Sequence, residues 1–288
     1  MKSISKIKYS ACSWFCCLLI GFMLTGLHVA AQEEEYQNFG QAYGFSAGQQ
    51  AWIFAETVNV RSAADPSASI QDRLPQGAVV KIKAIGRLFE LNQKKAPWCT
   101  ISYKVNGVER TGALWSGLLS PRMLQHGAVR FLYGMKFPAS DTSKTWIDLK
   151  ALRNDTVTAR TGFYIASTES ANGAHEAKVS HPKGLTGLDC LLYFYYSGEA
   201  CAIPTYEQYI GWNGRQFAVF PQLESSADAG AYVDECTFVF PADKGGVAGI
   251  LMHKEQTEEY DEHDKPIHKK TKITRYKWDA AKRSFQKI

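Results

Sequence analysis

From position 51 onward, β-branched and aromatic residues alternate with polar ones in short runs, and turn-forming residues interrupt them roughly every 8 to 12 positions. Such a chain buries one face of each strand and is driven towards many short strands. Val80, Ile82 and Ala84 fall on one face of an extended run, with Lys81 and Lys83 on the other. Asn106-Gly107, between two such runs, is a strong two-residue hairpin signal. Further along, Val129, Phe131 and Tyr133 alternate inward around Arg130, residues 191–196 form a nearly unbroken apolar and aromatic run, and residues 237–240 and 249–252 read as strands. Parallel units need long helical patterns between strands, and none is present; residues 148–153 suggest one short helix. The expected fold is mainly β and antiparallel.

The first 31 residues stand apart. Lys2, Lys6 and Lys8 precede an uncharged, mostly apolar run from 11 to 27, and Val29-Ala30-Ala31 supplies small residues spaced for cleavage. This three-part pattern predicts a secretory signal peptide cut after Ala31, and no Cys stands at the junction to carry a lipid. No later apolar run is long enough to span a bilayer. The 33 Lys and Arg outnumber the 28 Asp and Glu, but three of those cations lie in the signal. The remainder is nearly neutral, which argues against nucleic acid as a partner. Residues 32–50 read as an extended lead-in that partly docks.

Residues 51–122 hold the most specific pattern. Val58-Asn59-Val60-Arg61-Ser62 leads into Asp65-Pro66-Ser67; Leu74-Pro75-Gln76-Gly77-Ala78-Val79-Val80 follows, and then Trp98-Cys99-Thr100-Ile101. This segment resembles the bacterial Src-homology-3 (SH3-like) domain, a small β-barrel whose loop and groove residues contact extended cell-wall peptides. Three departures stand out: Ala63 replaces a usual Gly, residues 87–96 lengthen one loop, and Ala113 replaces a groove Trp. The resemblance implies ligand contacts at Trp98, Asn59, Arg61, Ser62, Asp65 and Pro66. Alternation in the Trp98 strand puts Trp98 on a partly exposed face and Cys99, Ile101 and Tyr103 in the core.

Residues 125–288 read as a larger antiparallel β domain, a sandwich or a meander of hairpins. Tyr209-Ile210-Gly211-Trp212-Asn213-Gly214-Arg215-Gln216-Phe217 is echoed by Tyr276-Lys277-Trp278-Asp279-Ala280-Ala281-Lys282-Arg283-Ser284-Phe285. Each copy predicts a hairpin with Trp and Phe packed across the strands. A four-residue loop at 197–200 would set Tyr196 opposite Cys201 and Cys190 opposite Glu207, too far apart for a Cys190–Cys201 bridge. Any disulfide is then expected to involve Cys236.

Catalytic patterns are sparse. Cys190 precedes a strand rather than opening a helix, Pro204 follows Cys201 closely, and His126, His175 and His181 read as loop residues without companions. The polar run 253–264 offers His253, Glu259, Asp261 and His263 as weak metal-ligand candidates, but its spacing fits no metal motif and reads as a hydrated loop. No cofactor is expected. Paired carboxylates for glycoside cleavage leave no sequence spacing. The reading is therefore an exported, non-catalytic binding protein of the periplasm or cell surface, taking cell-wall peptide or glycan. The alternatives are an envelope protein-interaction adaptor or an unrecognised hydrolase in 125–288.

Overall fold

The computed structural model describes residues 44–91, 94–136, 144–198 and 200–288; the expected signal peptide and most of the lead-in lie outside them. The protein is mainly β: about 64% of the described residues are strand and 3% helix, and every strand pairing among them is antiparallel.

Seven strands form the first sheet: β1 (Gln50–Ile53), β2 (Thr57–Arg61), β3 (Ile70–Pro75), β4 (Val79–Leu91), β5 (Lys94–Val105), β6 (Val108–Trp115) and β7 (Leu119–Ser120). Their order is β3-β2-β6-β5-β4-β1-β7. The sheet curls around one core, to which Val58, Val60, Val80, Ile82, Cys99, Ile101 and Leu114 contribute alternate positions. Phe45 from the end of the lead-in packs into the same core, and the Gln49 amide ties the segment to the Gly44 and Pro121 carbonyls. Asn106-Gly107 turns β5 into β6 with both residues at positive φ (52° and 80°), as a two-residue primed turn requires. Two expectations fail here. Ala84 is exposed, because the register slips between Ile82 and Ala84 and turns the strand over. Residues 87–96 are largely not a loop but the paired outer halves of β4 and β5, with Leu91 opposite Lys94.

The second sheet, β11-β10-β9-β8, comprises β8 (Met123–His126), β9 (Val129–Lys136), β10 (Thr145–Arg153) and β11 (Thr156–Ile165). The short helix expected at 148–153 is the strand β10 instead. Its Ile147, Leu149 and Ala151 are buried at period two, and pairing on both sides decides what local propensity left open.

The third sheet holds β12 (Ala174–Ser180), β13 (Cys190–Ser197), β14 (Thr205–Trp212), β15 (Phe217–Val219), β16 (Leu223–Asp228), β17 (Tyr232–Val239), β18 (Ile250–Tyr260), β19 (Pro266–Asp279) and β20 (Ser284–Lys287). β15 pairs with β14, off the main path β12-β13-β14-β16-β17-β18-β19-β20. A five-residue helix, α1 (Thr168–Asn172), precedes β12, with Ser167 capping it. Each face of β13–β14 supports a core. Leu192, Phe194, Tyr196, Ile210 and Trp212 pack on Phe131, Tyr133, Ile147 and Phe163 of the second sheet, giving a sandwich. On the opposite face, Leu191 and Tyr209 meet Phe220, Phe240, Leu251 and Trp278, because the distal strands fold back over it.

Both Trp-turn-Phe segments are hairpins, with Trp212 paired to Phe217 and Trp278 to Phe285, ring centroids 4.8 Å apart in each. The β13–β14 register differs from the expected one: Tyr196 faces Tyr206 and Cys190 faces Trp212. The connection is longer because β14 begins only after Pro204, which lacks the N–H for a ladder bond. Cys99, Cys190, Cys201 and Cys236 are all free thiols. Burial pushes the Cys99 and Cys190 thiols up to about 12, whereas Cys201 lies exposed in the connection. A thiol-reactive probe at neutral pH is expected to label Cys201 first and to reach Cys99 and Cys190 only after unfolding. Native-state labelling of Cys99 at the Cys201 rate, read by peptide mass spectrometry, would contradict this packing.

The first two sheets abut through Phe54, Leu132 and Leu152. The Phe54 carbonyl accepts from Lys150 Nζ at 2.8 Å and from Gln76 Nε2 at 2.6 Å, and the ammonium lies 4.1 Å from the centre of the Phe54 ring. Burial holds the Lys150 pKa below its ordinary value, with Arg160 adding to the shift and Glu56 and Asp148 opposing it. Gly134 allows this approach, since a Cβ there would stand 2.9 Å from the Phe54 ring.

Candidate functional site

The loop after β2 is held by its own residues. Arg61 Nη1 donates to the Ala68 carbonyl at 2.7 Å, Ser69 Oγ bonds Ser62 Oγ at 2.9 Å, and Asp65 Oδ1 accepts from the Ser67 amide and hydroxyl. These Ser67 bonds, followed by Arg87 and Arg61, hold the Asp65 carboxyl below its ordinary range. Arg87 on β4 reaches Asp65 at 3.6 Å and the Ala64 carbonyl at 3.2 Å, pinning loop to hairpin. Asn59 is half-buried opposite Arg73, and Pro66 is exposed.

Trp98 points away from Cys99, as alternation requires, yet it is only 4% exposed rather than open to a groove. Ala96, Ala113 and Trp115 surround it, and Phe89 and Leu91 from the lengthened β4 cover it. The indole of Trp115 donates to the Ala96 carbonyl at 2.9 Å and the Phe89 carbonyl at 3.1 Å, fastening the cover. Trp115 was legible in principle, because it lies two positions beyond Ala113 on the same face. The hairpin that uses it was not, since charged Arg87, Glu90, Lys94 and Lys95 resemble a loop.

The four metal-ligand candidates are dispersed along a β-ribbon. Of the expected hydrated loop, 261–264 is the hairpin turn, but 253–260 lies in β18, where Glu255 pairs with Lys272 and Glu258 with Lys269 of β19 across the ladder. His253 packs on Phe238 at 5.5 Å, Glu259 faces Tyr232 and His268, and Asp261 Oδ1 accepts from the His263 and Lys265 amides at the tip. Six residues separate His253 from Glu259, about 20 Å of strand. Among the described residues no three His, Cys, Asp or Glu side chains are grouped to hold a metal ion.

A different surface gathers chemistry: the side of β13–β14 that looks towards β17. Tyr193 and Tyr209 are cross-strand partners with rings 4.9 Å apart, and Tyr209 continues to Phe238 at 5.9 Å. Glu207, opposite Tyr195, accepts a hydrogen bond from the Tyr193 hydroxyl. Burial raises the Glu207 pKa, and Glu235 across on β17 raises it further, while Tyr193, Lys178 and Lys183 oppose the shift. Burial, then Glu207 and Asp243, push Tyr209 up to about 12. Lys178 Nζ lies 4.7 Å from the Tyr193 ring centre, and Lys183 Nζ 4.5 Å from that of Phe240. A half-buried carboxyl, two ammonium groups and a row of partly exposed rings can hold a ligand with hydroxyls, charges and apolar CH faces. Sequence reading missed it because the aromatic run 191–196 serves two faces at once, each supporting a core, and leaves only Tyr193 and Tyr195 partly exposed.

Comparison with known proteins returned no matching family model, no matching curated protein and no matching solved structure.

Proposed function

We propose that this chain is an exported binding protein of the cell envelope that recognises cell-wall glycan and its attached peptide. The observation that supports this most is the Tyr193–Glu207–Tyr209 surface with Lys178 and Lys183. Tyrosine rings suit the CH face of a sugar, Glu207 accepts from hydroxyl or amine groups, and the lysines meet peptide carboxylates. In this reading residues 51–122 are an SH3-like module, consistent with the Asn-Val-Arg-Ser strand and the curled sheet. Because the hairpin covers Trp98, the module's contacts fall to the exposed part of its 62–69 loop.

The test is co-sedimentation of the folded protein with purified sacculi. Wild type is expected in the pellet, with apparent affinity falling about tenfold or more in Tyr193→Ala and Glu207→Gln, since buried anchors dominate such surfaces. Wild type remaining in the supernatant would replace wall binding by the adaptor reading. One observation favours a second reading, hydrolysis: the half-buried Glu207 has its pKa raised by burial and lies near enough to a second carboxylate, Glu235, to feel its charge, and glycosidases use a carboxyl pair. Release of new reducing ends from sacculi, abolished by Glu207→Gln, would establish hydrolysis in place of binding alone.

A further inference from the structure

We propose that a basic cleft between the two Trp-turn-Phe hairpins and β11 binds an anionic sugar, a one- or two-residue saccharide unit bearing a phosphate or carboxylate group. The cleft has a volume of about 580 Å³, and none of its lining residues is acidic. Its cations come from three separate places: Arg160 on β11, Arg215 in the first turn, and Lys282 and Arg283 in the second. In a chain with little net charge beyond its signal segment, such a concentration is not a consequence of composition.

The two turns are held firmly. Asn213 Oδ1 accepts from the amides of Arg215 at 3.1 Å and Gln216 at 2.8 Å, and Asp279 Oδ1 from those of Ala281 at 3.0 Å and Lys282 at 2.9 Å. Behind them, Trp212 is anchored in one core and Trp278 in the other. Two of the four charges have carboxylates nearby: Arg160 pairs with Glu56 at 3.2 Å and Lys282 lies 3.9 Å from Asp279. The side chains of Arg215 and Arg283 have no such partner among the described residues.

Arg283 adds an independent sign. Its φ is 54°, in the left-handed region where Gly or Asn is the comfortable choice; the first turn uses Gly214 at its own positive-φ position. A long cation in that region is a strained choice, as it is at Lys183 (φ 51°), and fits contact with a ligand.

The remaining lining narrows the ligand class. Thr158, Thr161 and Gln216 present hydroxyl and amide groups that match sugar hydroxyls. Phe217, the one aromatic in the cleft, has its ring engaged by Trp212 at 4.8 Å and Phe131 at 6.0 Å, so no open platform remains for stacking a nucleobase. A predominantly polar wall is unsuited to acyl chains, and the volume falls within the roughly 300 to 1,000 Å³ of small-molecule sites.

The experiment is an NMR titration of the full protein with glucose 6-phosphate, glucuronic acid, glucose and inorganic phosphate. At least one charged sugar is expected to give saturable shifts at the amides of the two turns, weakening as salt is added, while glucose gives none. Inorganic phosphate is expected to bind more weakly than the charged sugar. Arg215→Ala combined with Arg283→Asn, the second chosen because Asn tolerates positive φ, should lose about tenfold or more in affinity once charge-assisted bonds are gone. Lys270→Ala, on the exposed face of β19, should bind as wild type does. Three results overturn the proposal: no saturable binding of either charged sugar, unchanged affinity in the folded double variant, or inorganic phosphate binding as tightly as the sugars.

Discussion

Replacing Trp212 by alanine is expected to cost about 3 to 5 kcal/mol of stability, the range for emptying a large aromatic site in a close-packed core. Trp212 is 1% exposed and is gripped from three directions: Cys190 across the ladder, Phe217 in its own hairpin, and Phe131 from the facing sheet at 5.5 Å. The cavity would open between two sheets whose backbones are fixed by their own ladders, so collapse can recover little of the loss. Its indole N–H has no hydrogen-bond partner among the described residues, so Trp212→Phe removes volume without breaking a described bond and should cost distinctly less. Trp278→Ala tests the other copy, where the indole donates to the Thr186 carbonyl at 2.8 Å and a lost bond adds to the lost packing. Urea denaturation decides the matter. A Trp212→Ala unfolding free energy within about 1 kcal/mol of wild type would mean that this residue does not join the sheets.

Acidification is the second large effect. His175 on β12 was expected in a loop, but its ring stacks on Tyr196 at 5.7 Å and its Nε2 bonds the Tyr133 hydroxyl at 2.9 Å. Burial, with a smaller push from Arg122, lowers its pKa from 6.5 to about 4. Below pH 6.5 the unfolded chain therefore binds a proton that the folded protein refuses. The His175 contribution should fall as pH drops from about 6.5 to about 4, by about 3 kcal/mol, and level off once folded His175 also protonates, while carboxyls held below their ordinary range, such as Asp72 and Glu255, continue the loss at lower pH. His253, its pKa likewise lowered by burial, contributes with the same sign, and Glu207, its pKa raised, with the opposite sign. The difference between wild type and His175→Gln isolates the His175 part. Denaturation across this window should show a flatter acid limb in the variant, and equal slopes would assign the acid sensitivity elsewhere.

Much of the fold was legible in the residues. Period-two burial at Val58 and Val60, at Ile82, and at Phe131 and Tyr133 needs only that one strand face be dry and the other wet. Asn106-Gly107 and the two Trp-turn-Phe segments carried their turns locally, because positive φ and side-chain caps are chosen by nearest neighbours. The candidate sites were less legible. Asn59, Arg61, Ser62 and Asp65 were read as one strand and loop, and they do form one, but Arg61, Ser62 and Asp65 spend hydrogen-bonding capacity on holding it.

What only the tertiary structure decided involves partners distant in sequence. Trp98 is covered because Phe89 and Leu91 return over it from a hairpin that charged residues disguised as a loop. Residues 253–260 form a ribbon because Lys269 and Lys272 answer Glu258 and Glu255 across the ladder, a pairing invisible to periodicity when both faces are polar. The basic cleft joins Arg160 to Arg283 across more than a hundred positions. Local sequence fixes the conformation of each strand and turn through sterics and short-range bonding. Which faces end up covered, and which charges end up adjacent, follows from sheet packing, whose energy is summed over contacts the local chain cannot anticipate.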